Sequence, residues 1–208
     1  MFHRRRVGIF TGIAALAAVG VILAFGKDIQ LPKTGLTVSG AVNALTMNAN
    51  TSTNTAKVEY YFPRAGKDVQ SQLISVINSA DKTLDIAIYS LTDSKIGDAI
   101  IQANARGVAV RVITDQEQAA GKYQKSLLKG LVQAGIKVKE NTHSGLMHLK
   151  VTVVDGKIAT TGSFNYTKAA ENTNDEVFVI LRDETAAKDF ETEFETMWNS
   201  KTDFTDFR

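Results

Sequence analysis

Apolar positions after residue 56 repeat with a helical spacing in some segments and with a strand spacing in others. Apolar side chains that recur every three or four positions predict three helices, over residues 69–80, 93–106 and 123–134. Short runs in which apolar and polar positions alternate predict three strands, over residues 83–89, 109–114 and 136–139. Because helices alternate with strands, the pattern predicts a sheet with helices packed on its faces.

Beyond residue 139 the pattern becomes richer in strands. Apolar runs predict strands over residues 150–154, 158–161 and 176–181. A last helix is predicted over residues 184–199, where one face carries Ala187, Phe190, Phe194 and Trp198. The sequence contains no evident internal repeat.

The N-terminal segment is typical of a membrane-directed sequence. Residues 7–26 are uncharged and directly follow Arg4, Arg5 and Arg6. A run of this length can cross a bilayer as a helix, and it exceeds the apolar core of most cleaved signal peptides. Small residues at Ala24 and Gly26 leave cleavage open as the alternative. Arginines before the run favour a cytoplasmic N-terminus, so the rest of the chain is expected to be exported.

Composition divides the chain into three parts. Residues 1–26 are interpreted as a signal anchor or signal peptide, and residues 27–56 as a flexible linker, because 43–56 are almost entirely Asn, Thr, Ser and Ala. Residues 57–208 are then the domain that carries the chemistry. An export signal of this kind predicts that this domain faces away from the cytosol.

Charge and cysteine content narrow the possible functions. The chain has no cysteine, which excludes disulfides, thiolate metal sites and a cysteine nucleophile. The formal net charge is +2, but five of the 24 basic and one of the 22 acidic residues precede residue 57, so the remainder carries −2. Residues 121–150 contain six lysines against Glu140 alone. This segment is either a solvated lysine-rich face or a patch that steers a polyanion.

The most informative segment begins at His148. The strand pattern extends back to residue 147, so residues 147–154 are predicted as one strand with His148 and Lys150 on the same face. An imidazole beside an ammonium group is costly to bury unless an anion lies between them. Asp155, followed by glycine, predicts a turn into the next strand.

That turn is expected to bring a second group of polar residues back toward His148. Lys150, Ser163 and Asn165 could then donate hydrogen bonds to the non-bridging oxygens of a phosphate. Glu176, at the start of a later strand, is placed to orient the ring of His148 through its other nitrogen.

The residues in this segment have the spacing His-x-Lys-x4-Asp-x6-Gly-Ser-x-Asn, from His148 to Asn165. This pattern resembles the signature of the phospholipase D superfamily at each position. The resemblance covers residues 58–199, and through residues 166–176 the chain is similar to the short bacterial endonucleases of that superfamily. It implies an α/β fold with a mixed β-sheet flanked by helices on both faces, here with an N-terminal transmembrane or signal helix. Together with that N-terminal segment, the resemblance implies a location in a bacterial periplasm, either free or anchored to the inner membrane.

The resemblance also implies a covalent mechanism without metal or cofactor. His148 would attack phosphorus, Lys150, Ser163 and Asn165 would hold the phosphate, and Glu176 would support His148. Asp155 belongs to the same catalytic signature, although a role in fixing the turn is favoured over pairing with a lysine.

The mechanism needs two histidines, and this chain has a single copy of the motif. His143 lies five residues before His148 without a lysine partner and is interpreted as a loop residue. The solution implied by the family is a homodimer that places two His148 side chains across a two-fold axis.

Three functions remain open on the sequence. The leading hypothesis is an endonuclease of low sequence preference that acts on DNA, with RNA as a further substrate. The alternative is a membrane-anchored phospholipase D that acts on an anionic phospholipid such as cardiolipin. A non-catalytic binding protein is disfavoured because the motif is intact.

Overall fold

The computed structural model describes residues 57–208. The predicted signal or anchor segment and the linker therefore lie outside the described residues. Within residues 57–208, no helix is both long enough and apolar enough to span a bilayer.

Eight strands and six α-helices make up the described chain. The strands are β1 Lys57–Tyr61, β2 Thr83–Ile88, β3 Ala109–Thr114, β4 Lys137–Asn141, β5 Lys150–Val154, β6 Ile158–Gly162, β7 Phe178–Arg182 and β8 Phe204–Asp206. The helices are α1 Val69–Asn78, α2 Ser94–Ala105, α3 Gln116–Ala120, α4 Lys122–Gln133, α5 Lys168–Asn172 and α6 Glu184–Asn199, and a short 3₁₀ turn spans Pro63–Ala65.

All eight strands form one mixed sheet, in the order β1-β7-β6-β5-β2-β3-β4-β8. Strands β2, β3 and β4 run parallel to one another, because helices connect them. Strands β5, β6 and β7 are antiparallel neighbours. A tight turn joins β5 to β6, and its central residues Asp155 and Gly156 both have positive φ, 53° and 60°, as a type I′ turn requires.

Helices cover both faces of the sheet, as the sequence predicts. One face carries α1, α2 and α4 over the larger core, which includes Leu84, Ile86 and Ile88 of β2. The other face carries α6, whose Phe194 packs against a smaller core. Each fully buried aliphatic or aromatic side chain contributes about 1.5–3 kcal/mol relative to an exposed one. Successive side chains of β2 point to opposite faces of the sheet, so this strand packs against both helical layers.

The strand predicted over residues 147–154 is shorter in the structure, where β5 begins at Lys150. The cause is a change of hydrogen-bond partner before that residue. The backbone N–H of Met147 donates to Oδ2 of Asp115 at 3.1 Å and not to a neighbouring strand. His148 therefore lies in the loop that leads into β5.

Candidate active site

Four strand ends converge at one edge of the sheet. Because β5 is antiparallel to β2, the start of β5 lies beside the end of β2. By the same rule, the end of β6 and the start of β7 lie next to the start of β5. His148, Lys150, Ser163, Asn165 and Glu176 belong to these four ends or to the residues that flank them. We call this the site edge.

Two buried polar residues anchor the loop that carries His148. Asp115 and Asn141 are fully buried. Besides Met147, the loop is tied through Gly145, whose carbonyl accepts a hydrogen bond from Nδ2 of Asn141 at 3.2 Å. Oδ1 of the same Asn141 amide accepts a hydrogen bond from the backbone N–H of Gln116 at 2.9 Å. The exposed imidazole of His148 is therefore held on a loop fixed at its base.

The ring of Tyr89 lies between His148 and Lys150. Its centroid is 4.7 Å from that of the His148 ring and 4.8 Å from Nζ of Lys150. The Lys150 ammonium also donates to the backbone carbonyl of His148 at 2.7 Å. Burial lowers the pKa of Lys150, and the carboxylate of Glu176 offsets part of this effect.

The end of β6 places Ser163 against the start of β7. At Gly162, φ is +130°, and a Cβ there would overlap the carbonyl oxygen of Val177, so only glycine fits. The backbone N–H of Ser163 donates to that same carbonyl at 3.0 Å. The Ser163 hydroxyl donates to the carboxylate of Glu176 and accepts from the N–H of Val177 at 3.1 Å.

Asn165 lies between two core aromatics, Phe164 and Tyr166. Its Oδ1 is buried and has no hydrogen-bond partner among residues 57–208. A buried amide oxygen without a partner costs about 1–3 kcal/mol. This oxygen is an acceptor and cannot pair with a phosphate oxygen, so only the Nδ2 group of Asn165 could donate to a phosphate.

Glu176 faces Ser163 and not the imidazole of His148. Its second carboxylate oxygen accepts from Nδ2 of Asn174 at 3.0 Å. Among the described residues it makes no hydrogen bond to His148. The negative charge of Glu176 nevertheless raises the pKa of Lys150, so this carboxylate acts on the same site.

Asp155 lies at the opposite end of β5 from His148. Its carboxylate accepts hydrogen bonds from the backbone N–H groups of Asp81 at 3.0 Å and of Lys82 and Thr83, both at 2.8 Å. Burial raises the pKa of Asp155, but the three N–H donors outweigh it and leave the pKa below its usual value. This position fits a role in fixing the turn.

His143 belongs to the same loop as His148 but faces a different part of the molecule. Its ring packs edge-on against Phe204, with centroids 5.6 Å apart. Its Nδ1 lies 3.0 Å from the carbonyl oxygen of Ser144.

Sequence reasoning did not single out the residues that support His148 and Lys150. Tyr89 is predicted only as the last residue of a strand, and nothing in the sequence pattern singles out Asp115. The Gln124 side chain accepts from the N–H of Leu91 at 2.7 Å and donates to Oγ1 of Thr114 at 2.8 Å. A buried Gln on an otherwise apolar helix face was the one available signal.

Possible metal ligands are not grouped in this part of the chain. Within residues 57–208, no cluster of three or more His, Cys, Asp or Glu side chains has an arrangement that could hold a metal ion.

A single mixed sheet with a histidine and a lysine at the junction of four strand ends defines a phospholipase D-like domain. The family model described as "Cardiolipin synthase, PLD-like domain" matches residues 73–198. The chain belongs to this phospholipase D-like family, as the sequence pattern predicted.

Solved structures of bacterial Nuc proteins are similar over most of the described chain. Nuc from Salmonella typhimurium, a phospholipase D family member, is 28% identical with a TM-score of 0.68, over 74% of this chain and 99% of that chain. NucT from Helicobacter pylori is 29% identical with a TM-score of 0.65, over 70% of this chain and 97% of that chain.

Curated relatives include proteins named cardiolipin hydrolase and phospholipase D. The mitochondrial cardiolipin hydrolase of Chlamydomonas reinhardtii is 33% identical over 62% of this chain, and that of Xenopus tropicalis is 35% identical over 62%. A phospholipase D from Rickettsia conorii is 36% identical over 55% of the chain. The chain spans 57%, 60% and 56% of the length of these relatives, respectively.

Proposed function

We propose that the protein is a metal-independent phosphodiesterase, and specifically an endonuclease of low sequence preference that cleaves DNA and, as a further substrate, RNA. The observation that carries the proposal is the close grouping of His148, Lys150 and Tyr89 at the site edge, with Ser163 on the adjoining strand end. The similarity to the Nuc structures supports the nuclease, whereas the relatives named cardiolipin hydrolase and phospholipase D support the second candidate described below.

In the proposed reaction, a ring nitrogen of His148 attacks phosphorus and forms an N–P bond. The P–O bond to the leaving group breaks, and a second imidazole gives that oxygen its proton. The same imidazole then removes a proton from water, whose oxygen attacks phosphorus and releases His148. Two steps with imidazole as nucleophile and as acid–base suit a side chain whose ordinary pKa lies near neutrality.

Lys150, Ser163 and Asn165 are proposed to bind the non-bridging phosphate oxygens. Lys150 is suited to this role because its hydrogen-bond partner, a backbone carbonyl, is uncharged and a phosphate would be a stronger partner. Ser163 would exchange its bond to Glu176 for one to the substrate. Glu176 is proposed to act through Ser163 and through its charge on Lys150.

The second imidazole is proposed to be His148 of another copy of the chain. His143 faces Phe204 and is not a suitable substitute. His148 is exposed on its loop, so two copies can bring these rings together across a two-fold axis. A homodimer would then be a condition of the reaction.

The second candidate function is a phospholipase D acting on an anionic phospholipid. Besides the relatives that carry these names, one structural observation favours it: an apolar cavity of about 250 Å³ lies behind Leu149, between β5 and α6, and includes Phe190 and Met197. A cavity of this kind could receive an acyl chain. Its rim, however, carries Asp189 and Glu193, which would repel an anionic membrane surface.

An envelope location is proposed for either activity. The apolar run at residues 7–26 after three arginines supports export, with the domain either anchored to the inner membrane or released into the periplasm.

The test uses the full-length protein with plasmid and single-stranded DNA in excess EDTA. His148→Asn should abolish cleavage, whereas His143→Asn, the matched control in the same loop, should cleave as the wild type does. Cleavage that requires a divalent metal would contradict the proposed chemistry. If DNA and RNA stay intact while vesicles of cardiolipin are hydrolysed, the phospholipase function replaces the nuclease.

A further inference from the structure

Helix α4 presents a row of lysines on the side that faces away from the sheet. Lys122, Lys125 and Lys129 are all exposed. At 3.6 residues per turn these three positions fall within a sector of roughly 60°. The buried residues of the helix point the other way and are Gln124, Leu128 and Leu131. We call the three lysines the lysine stripe.

Few acidic groups oppose the lysine stripe. Helix α4 itself carries no acidic residue. Glu140 on β4 is half-buried, and Lys125 partly offsets the rise that burial causes in its pKa. Asp98 lies across the groove between α2 and α4, beside Tyr123 and Ser126 and not on the side of the stripe. The outward face of α4 therefore carries three lysines and no acidic residue of its own.

The first turn of α4, which carries Lys122 and Lys125, lies close to the site edge. The side chain of Gln124, in the first turn of α4, accepts a hydrogen bond from the backbone N–H of Leu91 at 2.7 Å. It also donates to the backbone carbonyl of Tyr89 at 3.4 Å. The ring of Tyr89 contacts that of His148. From there α4 runs back toward the start of β4, and Lys129 lies about 10 Å beyond Lys122 along the helix axis.

We propose that the lysine stripe binds successive phosphates of a nucleic-acid strand and guides it to His148. This inference rests on the proposed nuclease function and names the path of its substrate. Lys125 and Lys129 are one turn apart, about 6 Å, so a chain with regularly spaced phosphates can engage both.

A membrane surface fits this helix less well. Helices that lie in a bilayer interface bury an apolar face among the lipids. The apolar face of α4 is already buried against the sheet through Leu128 and Leu131. Only the charged lysines of α4 would therefore be available to contact a bilayer.

The experiment measures binding of a fluorescent single-stranded oligonucleotide over a series of salt concentrations. The full-length chain carries His148→Asn throughout, so that the probe is not cut. The test variant combines Lys122→Gln, Lys125→Gln and Lys129→Gln. A charge-matched control removes three exposed lysines elsewhere, with substitutions to Gln at Lys82, Lys157 and Lys188.

We expect the test variant to bind about tenfold more weakly and its salt dependence to become shallower. Each lost phosphate contact removes about 0.7 from the slope of log K against log salt for a single strand, so three contacts remove roughly 2. The control should keep the parental slope. Equal slopes in the test variant and the control would overturn the proposal.

Two further outcomes separate this inference from the proposed function. If the wild type does not cut DNA but the lysine stripe still contributes to DNA binding, the proposed path is supported and only the nuclease function is refuted. Unchanged DNA binding together with weaker binding to vesicles that contain phosphatidylglycerol would overturn the proposal and assign the lysine stripe to a membrane surface.

Discussion

At the scale of single residues, the ammonium group of Lys150 contacts an aromatic ring and a carbonyl group, and Glu176 acts on it without forming an ion pair among the described residues. The ring belongs to Tyr89 and the carbonyl to His148. Neither carries a full negative charge, and burial lowers the pKa of the lysine. A phosphate that enters the site would therefore be the strongest partner available to this ammonium group.

Removal of the Tyr89 ring should weaken this arrangement. A desolvated cation–π contact contributes about 2 kcal/mol, so Tyr89→Ala should lower kcat/KM by at least about tenfold. Because burial is the main cause of the lowered pKa of Lys150, removal of the ring that covers its ammonium group should raise this pKa and move the alkaline limb of the pH profile to higher pH. Tyr89→Phe keeps the ring and should retain activity. Hydrolysis of bis(p-nitrophenyl) phosphate across a pH series tests this, and equal profiles for both variants would contradict it.

Asp155 should act on stability and not on the chemical step. Asp155→Asn removes the charge that accepts three backbone hydrogen bonds, and we expect a loss of about 2 kcal/mol in the free energy of unfolding. Because the folded pKa is lowered, the stabilisation is present above the ordinary aspartate value of 3.8 and disappears as the pH falls through the folded value. Urea unfolding measures it.

Asp81→Asn is the matched control for Asp155, since it removes a neighbouring carboxylate that accepts no backbone hydrogen bond among the described residues. It should leave stability unchanged. A large loss of kcat in folded Asp155→Asn, at unchanged stability, would instead place Asp155 in the chemistry.

The sequence pattern could identify those site residues that lie close to one another along the chain. His148 and Lys150 are two positions apart, and their motif continues to Asn165 without a long insertion. Tyr89 could not be found in this way, because 59 positions separate it from His148. Only the pairing of β2 with β5 brings the two rings together.

At the scale of helices and strands, the number of buried positions decided what the sequence could predict. The long helix α6 has the predicted bounds, because four apolar residues repeat over 16 positions. The elements that were not predicted are β1, α3, α5 and β8, and each of them buries at most one residue. A single buried position cannot establish a period. The start of β5 was predicted wrongly because Asp115, a distant residue, ends the strand pairing.

Strand β1 is held to β7 by a charged cluster around Glu59. Arg182 donates to this carboxylate at 2.7 Å, the Tyr61 hydroxyl at 2.8 Å, and Lys57 lies 3.2 Å away. Together they lower the pKa of Glu59 from 4.5 to about 2, with Arg182 as the largest cause. We expect Glu59→Gln to cost about 1 kcal/mol of stability at neutral pH.

The pH dependence of that loss follows from the direction of the shift. The stabilisation should be complete above pH 4.5 and should vanish as the pH falls toward 2, so the wild type and the variant converge there. Urea unfolding at several pH values measures the difference. Glu184→Gln, which breaks an exposed pair with Lys188 on α6, is the control and should change little at any pH. A Glu59 effect that persists at pH 2 would contradict the electrostatic explanation.

At the scale of the whole molecule, the site edge of one copy offers one His148, and the proposed reaction uses two. A dimer that contains one wild-type and one His148→Asn subunit should therefore be inactive, because its single reaction centre lacks either the nucleophile or the acid. Co-expression with two different tags and sequential purification yields this heterodimer. A heterodimer with one His143→Asn subunit should keep full activity. If the His148→Asn heterodimer instead retained half of the wild-type rate, each copy would work alone, and the second imidazole would have to come from within one chain.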